Sequence, residues 1–209
     1  MTLTLNSPDF VHNGPMPARL TCDDQDLSPQ LHWSGVPARA QSLALIVDDP
    51  DAPDPAAPRM TWVHWVLYNM PPTATGLPEG VVAHALPPGT REGVNDWGRT
   101  GYGGPCPPIG RHRYFHKLYA LDAVLPDLGK PTKAALEQAM AHNPRVHYVS
   151  VGASTYQANE TQYDRLVKLV AHSPYANRFH LLGWRPWQEI PGYYRLADIG
   201  VSIDALHYE

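Results

Sequence analysis

Three short segments of this chain carry side chains that can hold an anion or a cation, at spacings that let them act together. Carboxylates come first, in Asp48-Asp49-Pro50-Asp51-Ala52-Pro53. An imidazole among indoles follows, in Trp62-Val63-His64-Trp65, and an imidazole and a phenol close the run Gly103-Gly104-Pro105-Cys106-Pro107-Pro108-Ile109-Gly110-Arg111-His112-Arg113-Tyr114. Side chains two residues apart on a strand share a face, so His112 and Tyr114 can look into one cavity while Arg113 points away, free for a structural ion pair. Pro105, Pro107 and Pro108 fix φ on the approach to that strand, and Gly103, Gly104 and Gly110 let the backbone come close to a ligand. A stiff approach lowers the entropy lost on binding.

Other chemistries fit these residues less well. Two His and two Asp could satisfy zinc or iron, but the H-x-x-x-H or facial-triad spacing is absent, and no metal or cofactor is expected. Cys106 could be a nucleophile beside His112, yet six residues across a Pro-Pro turn do not ensure contact, and a buried inert thiol is the preferred reading. No Gly-x-Ser-x-Gly elbow supports a serine hydrolase. Taken alone, Asp49 before Pro50 could cap a turn, and His64 among aromatics could be a satisfied core histidine.

The elements that must position these groups are mostly strands. Leu43-Ala44-Leu45-Ile46-Val47 is a continuous apolar run that suits a central strand buried on both faces. From Thr61 to Asn69 a period of two puts Trp62, His64 and Val66 on one face and Val63, Trp65 and Leu67 on the other. Arg113 to Leu121 repeats the pattern, with Phe115, Tyr119 and Leu121 opposite Tyr114, His116, Leu118 and Ala120. Pro-Pro, Pro-Gly, Gly-Gly and Asn-Asp pairs mark the loops between. The first helix is expected from Thr132 to His142, capped by Thr132, with Leu136, Ala139 and Met140 on one face. This part reads as a mainly β domain of two packed sheets.

After residue 143 the style changes. A strand is expected at 146–151, a helix capped by Asn159, a strand at 179–182, a helix at about 188–196 and a strand at 199–203, the alternation of a short α/β, Rossmann-like unit. Proline marks the boundary, since 19 of the 23 lie in residues 1–143. The domains expected are therefore 1–143 and 144–209. Net charge is -4, all of it in the first part, which has 14 acidic and 10 basic residues against six of each in the second. No basic field invites nucleic acid. Two cysteines are too few for a secreted disulfide framework, and Cys22 and Cys106 are both read as reduced thiols. The N-terminus has no basic start or long apolar run, and nothing approaches the roughly 20 apolar residues of a membrane span. A cytoplasmic location is the default.

The order and spacing of the three segments resemble the phosphatidylethanolamine-binding protein family, in particular its bacterial, Raf-kinase-inhibitor-like branch. Ser28-Pro29 ahead of Trp33, the run Ser42 to Pro53, Asn95-Asp96-Trp97-Gly98-Arg99-Thr100-Gly101-Tyr102 and Leu118-Tyr119-Ala120-Leu121-Asp122 extend the likeness from about Leu5 to about Ala141. The resemblance implies that Asp49, Asp51 and His64 face the same cavity as His112 and Tyr114, that Trp62 is part of its apolar wall, and that Pro107 and Pro108 border it. It implies a non-enzymatic binding module for a small phosphorylated or zwitterionic ligand, phosphate toward His and Tyr and ammonium toward Asp, with regulation of a protein partner as the wider theme. Carboxylates beside histidines would raise the histidine pKa, so binding of phosphate-type ligands is expected to weaken between about pH 6 and pH 8.

The family's chain should return after Ala141 with a closing strand, and this one does not show its motif. The tail instead resembles a fragment of the C-terminal, donor-binding domain of GT-B glycosyltransferases, through His180-Leu181-Leu182-Gly183-Trp184, Ile190-Pro191-Gly192-Tyr193-Tyr194 and Ala197-Asp198-Ile199-Gly200-Val201-Ser202. That resemblance implies the alternative of a sugar transferase with its donor site in the tail; a scaffold or non-functional fusion is the third reading. The strand at 146–151 either substitutes for the closing strand or stays with its own unit, because an open apolar sheet edge is an aggregation hazard.

Overall fold

The computed structural model describes residues 3–142 together with three strands of the tail, Tyr148–Ser150, Phe179–Leu181 and Val201–His207. In chain order the strands are β1 (Thr4–Asn6), β2 (Gly14–Pro15), β3 (Leu31–Ser34), β4 (Ser42–Asp49), β5 (Trp62–Met70), β6 (Gly76–Leu77), β7 (Arg91–Glu92), β8 (His112–Leu121), β9 (Tyr148–Ser150), β10 (Phe179–Leu181) and β11 (Val201–His207). The helix α1 (Lys133–His142) follows β8. A six-stranded sheet runs β2-β11-β8-β4-β5-β7, and a three-stranded sheet runs β1-β3-β6. The mainly β, two-sheet reading of the first part is thus what the chain adopts.

The apolar run of β4 lies at the middle of the large sheet, and all eight of its residues are buried. Its odd positions, Leu43, Leu45 and Val47, meet Leu5, Leu31, Trp33 and Leu77 of the small sheet. Its even positions, Ala44 and Ile46, meet Leu136 and Met140 of α1. Thr132 caps that helix as expected, its Oγ1 accepting the Ala135 N–H at 3.2 Å. Two cores, one on each side of one sheet, follow from a strand that is apolar on both faces.

Strict alternation in β5 fails. Asp48 pairs with Val63 but Val47 with Trp65, so two residues of β5 stand against one of β4, which is a bulge. The extra residue reverses the faces: Val63 joins Val66 and Tyr68 on the helix side, and Trp65 and Leu67 lie on the side of the small sheet. A second irregularity, between Leu43 and Leu45, is met by Asn69 at φ 56, whose side chain accepts from Leu125 N–H and donates to Leu125 C=O.

The edge of β8 is closed by β11, antiparallel from Val201↔Leu118 to His207↔His112, with β2 on the far side. β9 does not substitute there; it pairs in parallel with β10 in a sheet of its own. The three tail strands fall close to where sequence periodicity put them, but the last belongs to the large sheet. The expected helices at Asn159 and at about 188–196, and most residues of the glycosyltransferase-like motifs, lie outside the described residues.

Candidate ligand pocket

A cavity of about 310 Å³ opens where the ends of β4, β5 and β8 meet two loops. Asp49, Trp62, His64, His112 and Tyr114 line it from the strands, and Pro108 lines it from the loop before β8. Two residues named with them stand elsewhere. Asp51 is buried with its carboxylate wholly engaged by Arg113, whose Nε and terminal nitrogen lie 2.9 Å and 2.7 Å from its two oxygens, and whose backbone N–H donates at 2.9 Å. This is the structural ion pair foreseen for Arg113, and it uses up a carboxylate expected to face the ligand. Pro107 is buried behind the wall and is not among the lining residues.

Sequence reasoning passed over Ala52, Pro53, Met60, Trp97 and Cys106, all of which line the cavity. Trp97 had a legible signal, since it lies in Asn95-Asp96-Trp97-Gly98, a turn signature. Asn95 Oδ1 accepts from the Trp97 and Arg99 N–H groups, and Gly98 takes φ +73. This loop continues from β7 along the same edge of β5: Gly93 N–H bonds Val66 C=O, Asp96 N–H bonds Val63 C=O, Asp96 Oδ2 accepts from Val63 N–H, and Gly103 N–H bonds His64 C=O. Trp97 lies so close over Gly103 that a Cβ there would come within 2.6 Å of its ring.

Cys22 and Cys106 form a disulfide, which overturns the reading of two reduced thiols and of Cys106 as an inert buried one. Nothing local in the sequence announces a pair 84 residues apart. It is the tertiary contact of the two loops that brings them together, reinforced by Cys22 N–H to Pro105 C=O and Gly104 N–H to Asp26 Oδ1.

The electrostatics also differ from expectation. His64 is 3 % exposed, and burial pushes its pKa down to about 4; the Gly103 carbonyl and the charges of Asp48, Asp26 and Asp96 act the other way but do not prevail. At neutral pH it is an uncharged ring. Its Nδ1 donates to Gly103 C=O at 2.6 Å, which leaves Nε2 as the acceptor nitrogen. His112 sits differently, with Nδ1 2.6 Å from Asp49 Oδ2 and Nε2 3.0 Å from Ile109 C=O. Its two ring nitrogens thus each meet an oxygen of the protein. Asp49, whose other oxygen accepts from Asp51 N–H, has its carboxyl pushed up by burial despite the hydrogen bond from His112.

A neutral buried histidine makes a fold acid-sensitive. Above the unfolded pKa of 6.5 neither state binds the proton; as pH falls toward about 4 only the unfolded chain takes it up, and stability drops. Over that window the loss expected from His64 is about 3 kcal/mol. Raised carboxyls such as Asp49 act in the opposite sense, so the measurement is urea unfolding of wild type and His64→Phe across the window. The wild type should lose more stability on acidification than the variant; parallel curves would show His64 to be solvated.

A sequence model described as phosphatidylethanolamine-binding protein matches residues 6–149. The chain is 53 % identical over 124 residues to a UPF0098 protein of Methanothermobacter thermautotrophicus, covering 59 % of this chain and 79 % of that one. It is 44 % identical over 138 residues to a UPF0098 protein of Chlamydia pneumoniae, covering 66 % and 89 %. Among solved structures it is similar to a phosphatidylethanolamine-binding protein homologue, CT736, of Chlamydia trachomatis, with TM-score 0.61, 40 % identity, and 66 % and 88 % of the two chains covered. YbcL of E. coli, described as a member of the mammalian family, gives TM-score 0.60 at 30 % identity, with 68 % and 91 % covered. With the family's motif run laid around one cavity and the match spanning most of the chain, this protein belongs to the phosphatidylethanolamine-binding protein family.

Proposed function

We propose that the protein is a non-enzymatic binding module whose pocket takes a small phosphorylated or zwitterionic head group, in the manner of a regulator of a protein partner. The observation that supports this reading is the buried His112–Asp49 pair on the wall of the cavity, an imidazole able to hydrogen-bond an entering anion. A ligand oxygen that accepts from His112 Nε2 takes the place of the Ile109 carbonyl, which belongs to the exposed end of the Pro107-Pro108 turn. The ammonium of a zwitterion does not reach a free carboxylate, since Asp49 and Asp51 are both engaged. The aromatic wall of Trp62 and Trp97 offers it cation–π contact near the mouth instead.

A disulfide persists in oxidising surroundings and is reduced by an ordinary cytosol. The cytoplasmic location expected from sequence and the paired thiols therefore hold together only if this bond resists reduction. The transferase reading rests on tail motifs most of whose residues lie outside the described part, and no observation favours it.

Calorimetric titration with phosphoethanolamine tests the function. Saturable binding is expected in the wild type, with affinity lost at least roughly ten-fold in His112→Ala, the usual scale for removing a charge-assisted hydrogen bond. Binding unaffected by the substitution would move the ligand elsewhere on the molecule.

A further inference from the structure

Both cysteines of the Cys22–Cys106 bond are exposed, and Cys106 is one of the residues lining the cavity. Exposed disulfides are the labile and regulatory ones, because a thiolate can reach their sulfurs. The two loops that the bond joins also meet without it. At Gly104 backbone packs on backbone, where a Cβ would come within 2.5 Å of the Leu20 carbonyl oxygen. Cys22 N–H bonds Pro105 C=O at 3.0 Å, Gly104 N–H bonds Asp26 Oδ1 at 2.6 Å, and Gly103 N–H bonds His64 C=O at 3.1 Å. Beyond Pro105 the chain is held at Cys106 by the disulfide and at Ile109 by the His112 ring, whose Nε2 lies 3.0 Å from the carbonyl oxygen. Pro108, Ile109 and Gly110 are exposed.

We propose that this bond is a redox latch on His112. While it is oxidised, the turn from Cys106 to Gly110 keeps the Ile109 carbonyl on the ring; reduction by a dithiol lets the turn swing away and uncovers His112, with both sheets intact. Pro107 and Pro108 fix φ between Cys106 and Ile109, so a displacement of Cys106 is carried to Ile109 rather than absorbed on the way. Gly110, at φ +71, is the pliable point about which the turn can move. His64, bonded to Gly103 in the stretch that stays docked, should change less. His112 Nε2 is the nitrogen that the head-group reading gives to a ligand oxygen, so the latch decides when it is open, but the uncovering of the ring needs no ligand and is independent of that reading.

The chemistry is thiol–disulfide exchange. One thiolate of the dithiol attacks a sulfur of the bond, the other cysteine leaves as a thiolate and takes up a proton, and the second thiol of the reagent then displaces the first cysteine. Two electrons and two protons pass to Cys22 and Cys106, which become thiols, and the dithiol becomes a disulfide. Local release of this kind is drawn from the least stable part of a fold, and an exposed turn outside the sheets is such a part.

Carbethoxylation of histidine by diethyl pyrocarbonate, read by mass spectrometry of the cleaved peptides, tests the latch. In the oxidised protein His112 is fully buried with both nitrogens against oxygens and should be protected, whereas the exposed His84 serves as the internal standard. Two open forms are compared with it, well below their melting temperatures: the wild type reduced with dithiothreitol and alkylated with iodoacetamide, and the Cys22→Ser, Cys106→Ser double variant. In both, His112 should react roughly ten-fold faster or more, the scale for losing one hydrogen bond that holds a ring in place, with far-UV circular dichroism and the His84 rate unchanged. Equal His112 rates in all three forms would overturn the proposal and leave the bond a plain staple. Reactivity in the alkylated protein alone would trace to the adduct on Cys106 and overturn it too. Loss of the circular dichroism signal, with His64 and His112 exposed together, would show that the bond holds the whole fold rather than one turn, and the latch would again be wrong.

Discussion

An Asp48→Ala protein is expected to be less stable than the wild type by about 3–5 kcal/mol, the cost of removing one partner from a buried ion cluster. Asp48 is fully buried on the helix side of β4, where Lys117 Nζ lies 2.7 Å from its carboxylate and Lys133 Nζ of α1 also binds it. Burial would draw the Lys133 pKa down, but the charges of Asp48 and Glu137 outweigh it and leave it raised. Without Asp48 the two ammonium groups lose their shared partner, and Glu137, 3.8 Å from Lys133, and the more weakly acting Asp96 remain as counter-charges to Lys133. Urea unfolding measures the loss, and the triple replacement Asp48→Leu, Lys117→Met, Lys133→Met should recover most of it, because an apolar cluster needs no compensation. A single-variant loss below about 1 kcal/mol would show that water already screens the cluster. The consequence reaches the pocket, since Asp48 and Asp49 are neighbours at the end of one strand, one anchoring the helix and the other His112.

Reduction of the Cys22–Cys106 bond should have an effect of similar size. Closing a loop with a sequence separation of 84 removes enough freedom from the unfolded chain to be worth about 4.5 kcal/mol in the chain-entropy treatment, toward the upper end of measured values. The thermal midpoint with and without a thiol reductant, compared with that of the Cys22→Ser, Cys106→Ser double variant, measures it. The reduced wild type and the double variant should melt together, well below the oxidised protein. If the reduced and oxidised proteins melt at the same temperature, the loops are held by their hydrogen bonds alone. The pocket should loosen with the fold: Cys106 lines the cavity, and the loop it anchors carries Gly103, which sets the His64 tautomer, and Ile109, which caps His112.

The strand period of β8 placed His112 and Tyr114 together, and β8 obeys it, because a regular strand repeats every two residues whatever its neighbours do. The same rule misassigned the second half of β5. A bulge is a property of two strands in register, and the sequence of one strand does not contain it. Within β5 the error spared the site: Trp62 and His64 precede the bulge and both reach the cavity, while the sides taken by Trp65, Val66 and Leu67 came out reversed.

Residue types and short spacings determined by themselves the buried central strand, the capped helix, the turn-rich loops and the run of groups at the cavity, all of which follow from local backbone geometry and burial. Tertiary structure decided the rest. It took Asp51 out of the pocket by giving it to Arg113, joined two distant cysteines, and drew a strand from the far end of the chain to close the edge of β8. It also reversed the expected charge state of His64. Sequence shows that carboxylates are near in the chain, but the balance between their attraction and the cost of burying a charge depends on how much water the fold excludes, and here exclusion dominates.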